Sequence, residues 1–300
     1  MTAPWLMITA SFLFALMGVC VKLASAQYSA GEIVLYRSLV GLLLMTGLLR
    51  WRGIPWRTNV PAMHFWRSLT GVTALCMWFY AIGGLPLATA MTLNYMSSVW
   101  IALFLIGGAV LLAPERGGGA AIDHRLVAAV LVGFVGVALV LRPTIDQAQL
   151  WHGVVGLGSG LIAATAYLQV TALGRVGEPG ERVVLYFSIT GIVFGAVIAL
   201  LSGGLHAHTL RGAALLLATG VLAAAAQWMI TRASGTGATL GIAALQYLGI
   251  VYSFGFGILI FGERPTWMSA AGIALIIAAG VAATLLSQRP RADVSAPTES

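Results

Sequence analysis

Residues 34–41 read Val34-Leu35-Tyr36-Arg37-Ser38-Leu39-Val40-Gly41, and residues 184–191 read Val184-Leu185-Tyr186-Phe187-Ser188-Ile189-Thr190-Gly191. Val, Leu, Tyr, Ser and Gly recur at a constant shift of 150. Trp78 maps onto Trp228, and Ala88-Thr89 onto Ala238-Thr239, at that same shift. The register then slips, so that Glu115-Arg116 aligns with Glu263-Arg264 at 148 and Gly136-Val137 with Gly280-Val281 at 144. An ordered series of this kind, broken only by a longer loop in the first half, marks an internal duplication.

The duplicated unit is a membrane unit. Of 300 residues, 59% are hydrophobic and only 8% charged, against about 25% charged in a soluble domain whose surface must face water. A spanning helix needs about 20 apolar residues, and ten segments qualify: 5–24, 32–49, 63–82, 87–112, 126–141, 153–173, 183–202, 212–231, 237–261 and 267–286. Ala24-Ser25-Ala26 imitates a signal-peptide cleavage site. No Lys or Arg precedes it, however, and the apolar run is longer than a secretory core, so the first span is expected to stay in the mature chain. The expected fold is an all-α membrane protein of ten transmembrane helices in two five-helix repeats, 1–142 and 143–287. Residues 288–300 read as a disordered cytoplasmic tail.

Five spans per repeat is an odd number, so the second repeat enters the membrane inverted relative to the first. Inverted repeats underlie alternating access in many secondary transporters. With the N-terminus inside, Lys22, Arg37, Arg142, Arg211 and Arg264 fall on the outer side and every other Lys and Arg on the cytoplasmic side. That bias predicts both termini in the cytoplasm. The net charge of +7 is then a by-product of topology, and no nucleic-acid partner is expected. Cys20 and Cys76 lie inside apolar runs and read as small packing residues.

Two five-span repeats, each ending its fourth span near a Glu (Glu115-Arg116 and Gly262-Glu263-Arg264-Pro265), followed by Gly-rich spans with Gly136-Val137 and Gly280-Val281, resemble the drug/metabolite transporter superfamily. The likeness is to its EamA-type exporters, which include bacterial aromatic amino-acid exporters, and it covers about residues 5–286. It implies a multi-pass protein of the bacterial inner membrane that exports small molecules, amino acids included. Pro114 stands where the second half has Gly262, which sets the two glutamates apart.

No acidic residue falls at mid-membrane depth, where a proton relay or cation site would need one. A proton-coupled exporter of organic cations, nucleosides or other drugs is therefore the alternative rather than the leading reading. The mid-span polar residues are neutral and aromatic: Trp78, Tyr80, Asn94, Tyr95, Trp100, Tyr167, Gln227, Trp228, Gln246 and Tyr247. An amide in lipid must find a hydrogen-bond partner or line water, so these ten are the candidate substrate-binding residues of an uncharged central cavity. A small zwitterion whose side chain stacks on the rings would fit it. The competing reading makes the amides interhelical glue and the rings packing. Lys22, Glu32 and Arg37 are candidate gate or helix-end polar residues. Lys22 is placed to pair with Glu32, while Arg37 either snorkels or meets a substrate carboxylate near the outer gate. Arg67, near the cytoplasmic start of its span, is expected to snorkel.

Other patterns carry no chemistry. Gly156-Leu157-Gly158-Ser159-Gly160 imitates a dinucleotide loop without the surrounding strand and helix, and reads as helix packing, as does Gly191 with Gly195. His206 and His208 have no carboxylate or Cys near them in sequence, so no metal site is expected. No cofactor and no catalytic constellation are expected either. The reading is a transporter, expected as a monomer in lipid, and not an enzyme.

Overall fold

The structure is a computed structural model, and it describes residues 3–111, 124–144, 147–235 and 245–287. All regular structure there is helical: α1 (Ala3–Ala24), α2 (Ala30–Arg52), α3 (Pro61–Gly84), α4 (Leu87–Tyr95), α5 (Ser97–Leu111), α6 (His124–Thr144), α7 (Gln147–Arg175), α8 (Gly180–Leu201), α9 (Leu210–Gly235), α10 (Leu248–Phe261) and α11 (Trp267–Ser287). The stretches that carry Glu115-Arg116 and the 288–300 tail lie outside the described residues.

Local sequence accounts for the helix ends. Ser29 caps α2, and Glu32 closes a reciprocal capping box with it. Gly53, with φ at 65°, ends the same helix in a left-handed cap. Pro61 opens α3, and Pro179 precedes α8. Gly262 ends α10 in the left-handed region.

Six helical stretches among the described residues have the length and apolar character to cross a membrane: Pro4–Ala24, Ala30–Arg52, Leu87–Phe104, Gln149–Arg175, Gly180–Leu201 and Leu210–Ile230. Val127–Leu139, Leu248–Phe261 and Trp267–Ala282 are shorter apolar helices. The bundle is apolar outside, with Leu43, Leu201, Leu259 and Trp267 exposed, and it buries Arg37, His64, Arg67 and Ser68. That is the polarity expected of a lipid-facing protein. α3 is long but too polar to join the spanning group, because His64, Arg67, Ser68, Thr70 and Thr73 interrupt it.

One of the expected spans is interrupted. Residues 87–111 form α4 and α5, joined at Met96, just after Asn94-Tyr95, and the Met96 N–H is shared between Thr92 O (3.2 Å) and Leu93 O (3.3 Å). Of the later expected span, 237–261, residues 237–244 lie outside the described residues, and the rest begins with a 3₁₀ turn, Leu245–Tyr247, that leads into α10. On α7, Gly160 lies bare against the α4–α5 break, where a β-carbon would stand 2.6 Å from Leu93 O. The Gly156–Gly160 stretch is thus a packing face, as expected.

The helices associate chiefly as α1 with α9, α3 with α7, α2 with α8 and α6 with α11. At the α2–α8 seam Gly31 meets Ala199, Gly195 meets Leu35, Gly191 meets Ser38 and Gly41 meets Ser188. The two helices therefore run antiparallel, and the Ser–Gly contacts are reciprocal.

Candidate functional site

Four acidic side chains occur among the described residues, all at helix ends and all engaged. Glu263, just past α10, forms an ion pair with Lys22 and accepts the Leu87 N–H at 2.9 and 3.1 Å. It thereby caps the N-terminus of α4 with negative charge. Lys22 also donates to Leu85 O at 2.8 Å and lies 4.8 Å from the Phe261 ring centre. This latch ties α1, the α3–α4 turn and the end of α10 together. The expected Lys22–Glu32 pair does not form. Glu32 is held instead by the Ser29 N–H at 2.9 Å, and by the backbone N–H and ring Nδ1 of His206, each at 2.7 Å. Beside it His208 meets the Tyr36 hydroxyl at 2.7 Å and that of Tyr28 at 3.2 Å. His206 thus has a carboxylate partner that its sequence neighbourhood does not disclose. No cluster of metal-ligating residues occurs among the described residues.

At the opposite end Glu178 accepts from Thr58 Oγ1 at 2.7 Å and from Arg182 Nη1 at 2.9 Å, with His64 Nε2 at 3.1 Å. Arg182 also donates to Pro55 O at 3.1 Å, and Arg52 pairs with Glu181. Burial acts to raise the Glu178 pKa, but the bonds from Thr58, His64 and Arg182 hold it below the ordinary carboxylate value. Its contribution to stability is therefore complete above the ordinary carboxylate pKa and lost as the pH falls through the lowered one. Glu178→Gln should destabilise the protein by about 3 kcal/mol at neutral pH, because it strands a buried cation. The same substitution should flatten the acid limb of a plot of unfolding midpoint against pH. An unchanged acid limb would remove Glu178 from that account.

Between these two ends lies a feature the sequence reading did not foresee. Arg67 does not snorkel. Its side chain folds along α3 onto Gly71, near the middle of the helix, where a β-carbon would collide with Nη1. Arg37 arrives from α2, and both guanidinium carbons lie over the Phe187 ring of α8, at 5.4 Å for Arg37 and 4.9 Å for Arg67. The arginines are 8% and 9% exposed. Arg37 Nε, Arg67 Nε and Arg67 Nη1 are buried without a hydrogen-bond partner, and neither residue forms an ion pair among the described residues. The available sequence signal was a mid-span Arg followed four residues later by Gly.

The predicted cavity residues surround this pair unevenly. Gln227 lines a small cavity with Arg37, Phe187 and Ser188. Tyr95, at the α4–α5 break, and Tyr247, in the 3₁₀ turn before α10, lie ring to ring at 5.8 Å. Trp100 packs edge-on against Phe134 at 5.0 Å. Trp78 is buried in the same core, and the indole N–H groups of Trp78 and Trp100 lack acceptors. Asn94 donates to Ser159 Oγ at 3.2 Å, so it fastens the α4–α5 break to α7. Trp228 is half-buried on α9. Tyr80 stands apart, stacked on His152 at 4.5 Å, and the Gln246 side chain lies outside the described residues. Tyr167 is 51% exposed on α7, whose packed face continues past it: Gln169 accepts from Thr70 Oγ1 at 3.2 Å and Leu173 is fully buried.

A helical bundle that is apolar outside and polar within is a multi-pass membrane protein, and its relatives are transporters. The chain is 33% identical over 277 residues to the pseudopaline exporter CntI of Pseudomonas aeruginosa, covering 92% of this chain and 94% of that one, and it belongs to that exporter's family. It is 27% identical over 285 residues to a riboflavin transporter of Vibrio cholerae, covering 92% and 91% of the two chains. No family model matches the sequence. A solved crystal structure shares the fold, with a TM-score of 0.65 at 19% identity over 95% of this chain and 97% of that one. The relatives named here are transporters of metabolites and not enzymes.

Proposed function

We propose that this protein exports small metabolites of amino-acid character across the bacterial inner membrane, with both termini cytoplasmic, by alternating access of two inverted five-helix repeats. The observation that carries the reading is the twofold pattern in which helices of the two halves pack against each other. The reciprocal Ser38–Gly191 and Gly41–Ser188 contacts support the inverted repeat, as does the matching of the α1–α9 pair by α7–α3. Interruption of the fourth span next to Asn94-Tyr95 supports a binding centre at that break, because discontinuous helices supply free backbone groups at mid-membrane. The aromatic candidates around it suit an apolar or aromatic portion of the substrate. Two buried arginines oppose the organic-cation alternative.

Efflux from proteoliposomes loaded singly with labelled Phe, Trp, Met, Thr, a nucleoside or a quaternary ammonium compound tests this, with and without a pH gradient. Amino-acid efflux indifferent to the gradient is the expected result. Movement of the quaternary ammonium alone, driven by the gradient, would establish the alternative.

A further inference from the structure

Two guanidinium charges at the middle of a bundle in lipid require an explanation. A buried charge is costly unless it is paired and hydrogen-bonded. A cation–π contact contributes about 2 kcal/mol when desolvated, and Arg37 and Arg67 share a single ring, that of Phe187. No described carboxylate is free to neutralise them. Glu32 is held by His206, Glu178 by Arg182 and His64, Glu181 by Arg52 and Glu263 by Lys22.

Helix packing does not account for the pair either. At the repeat shift Arg37 corresponds to Phe187 and Arg67 to Leu217, so the equivalent positions of the second half carry no charge. Both cations stand in the first half and converge on one point. Gly71 leaves the room that lets the Arg67 side chain lie along its own helix rather than reach for an aqueous end. Polar groups suited to an organic solute lie beside Arg37: Gln227 and Ser188 line one small cavity with it and with Phe187.

We propose that Arg37 and Arg67 are the anion-recognition centre of the transport pathway, and that among solutes of amino-acid character those with two carboxylates and a net negative charge are bound most tightly. Each planar guanidinium presents a pair of N–H donors matched to one carboxylate, and two carboxylates neutralise both cations. The substrate thus supplies the counter-charge that the described carboxylates do not. This deepens the export reading and rests on it for the word substrate, but the binding centre stands on its own geometry.

The test is thermal unfolding of the purified full chain in detergent, with phenylsuccinate, glutamate, 3-phenylpropionate, glutamine or phenylalanine added. The dicarboxylates are expected to raise the midpoint well above the shift given by their monocarboxylate counterparts. Arg37→Gln and Arg67→Gln should each weaken dicarboxylate binding by ~30-fold or more, the loss typical of removing one partner of a buried charge pair. Gly71→Val keeps the charge but displaces the guanidinium, and should weaken binding in the same way. In the absence of ligand, Arg67→Met should raise the midpoint, because it removes an uncompensated buried charge. Equal shifts from glutamate and glutamine, or a lower midpoint for ligand-free Arg67→Met, would overturn the assignment in favour of a packing role. Efflux separates this inference from the export reading. Neutral amino-acid efflux untouched by Arg67→Gln would sink the anion centre alone. Dicarboxylate binding without efflux of any solute would retain the centre and sink export.

Discussion

Glu263→Gln is expected to unlatch the closed end of the bundle. The carboxylate makes three contacts with two elements, the Lys22 ammonium and two bonds to the Leu87 N–H, and both partners are largely shielded from water. Its neutral replacement loses the charge on both the ammonium and the N-terminus of α4. A partly buried pair of this kind contributes about 2 kcal/mol, or roughly thirtyfold in the balance between closed and open forms. A cysteine placed at Ala88, buried one residue beyond the latch, reports the change in a background where Cys20 and Cys76 are serine. Its labelling by a membrane-impermeant maleimide should accelerate by about that thirtyfold factor in the variant. Lys22→Met should do the same, and the two substitutions together should add little, since each already breaks the one pair. Unchanged labelling would mean that apolar packing closes this end, and that the ion pair only decorates it.

The latch shows where sequence reasoning reached its limit. Lys22, Glu32 and Glu263 were each legible as polar residues at helix ends, because apolar runs define the ends and charges punctuate them. Their partners were not legible, because the pairing crosses between halves of the chain. Glu32 meets His206 and Lys22 meets Glu263, and neither is a neighbour in sequence. The break between α4 and α5 was half-legible. Asn94-Tyr95 stood out as a polar pair in an apolar span, but a backbone interruption leaves no mark in hydropathy. Arg67 was misplaced for a definite physical reason. Snorkelling assumes that a long cation reaches for the nearest water, and Gly71 gives it a groove in the other direction. That groove changes the expected cavity from uncharged to cationic, and with it the kind of solute the cavity suits.

Gly195→Ala should damage the protein far more than Gly191→Ala, although both glycines lie on the same face of α8 against α2. A β-carbon at Gly195 would stand 2.6 Å from Leu35 N and 2.9 Å from Gly31 O. Those are backbone atoms, which yield only if the whole helix moves. A β-carbon at Gly191 meets the Ser38 hydroxyl, which can rotate away or be deleted. Overpacking against rigid surroundings costs typically 1–3 kcal/mol, and Gly195→Ala is expected at about 3 kcal/mol, near the top of that range. Gly191→Ala should cost about 1 kcal/mol and be largely rescued by Ser38→Ala, with a coupling of that order in a double-mutant cycle. Unfolding midpoints of the single and double variants measure this directly, and equal losses at the two glycines would refute the backbone-on-backbone contact. The seam also carries Arg37 on one side and Phe187 on the other. Forcing it open by a methyl group at Gly195 must therefore lift the guanidinium from its ring. Solute binding should fall with stability in Gly195→Ala and stay near the parent value in Gly191→Ala with Ser38→Ala. The small residues of this seam thus set the distance across which the two halves of the chain hold the cationic centre.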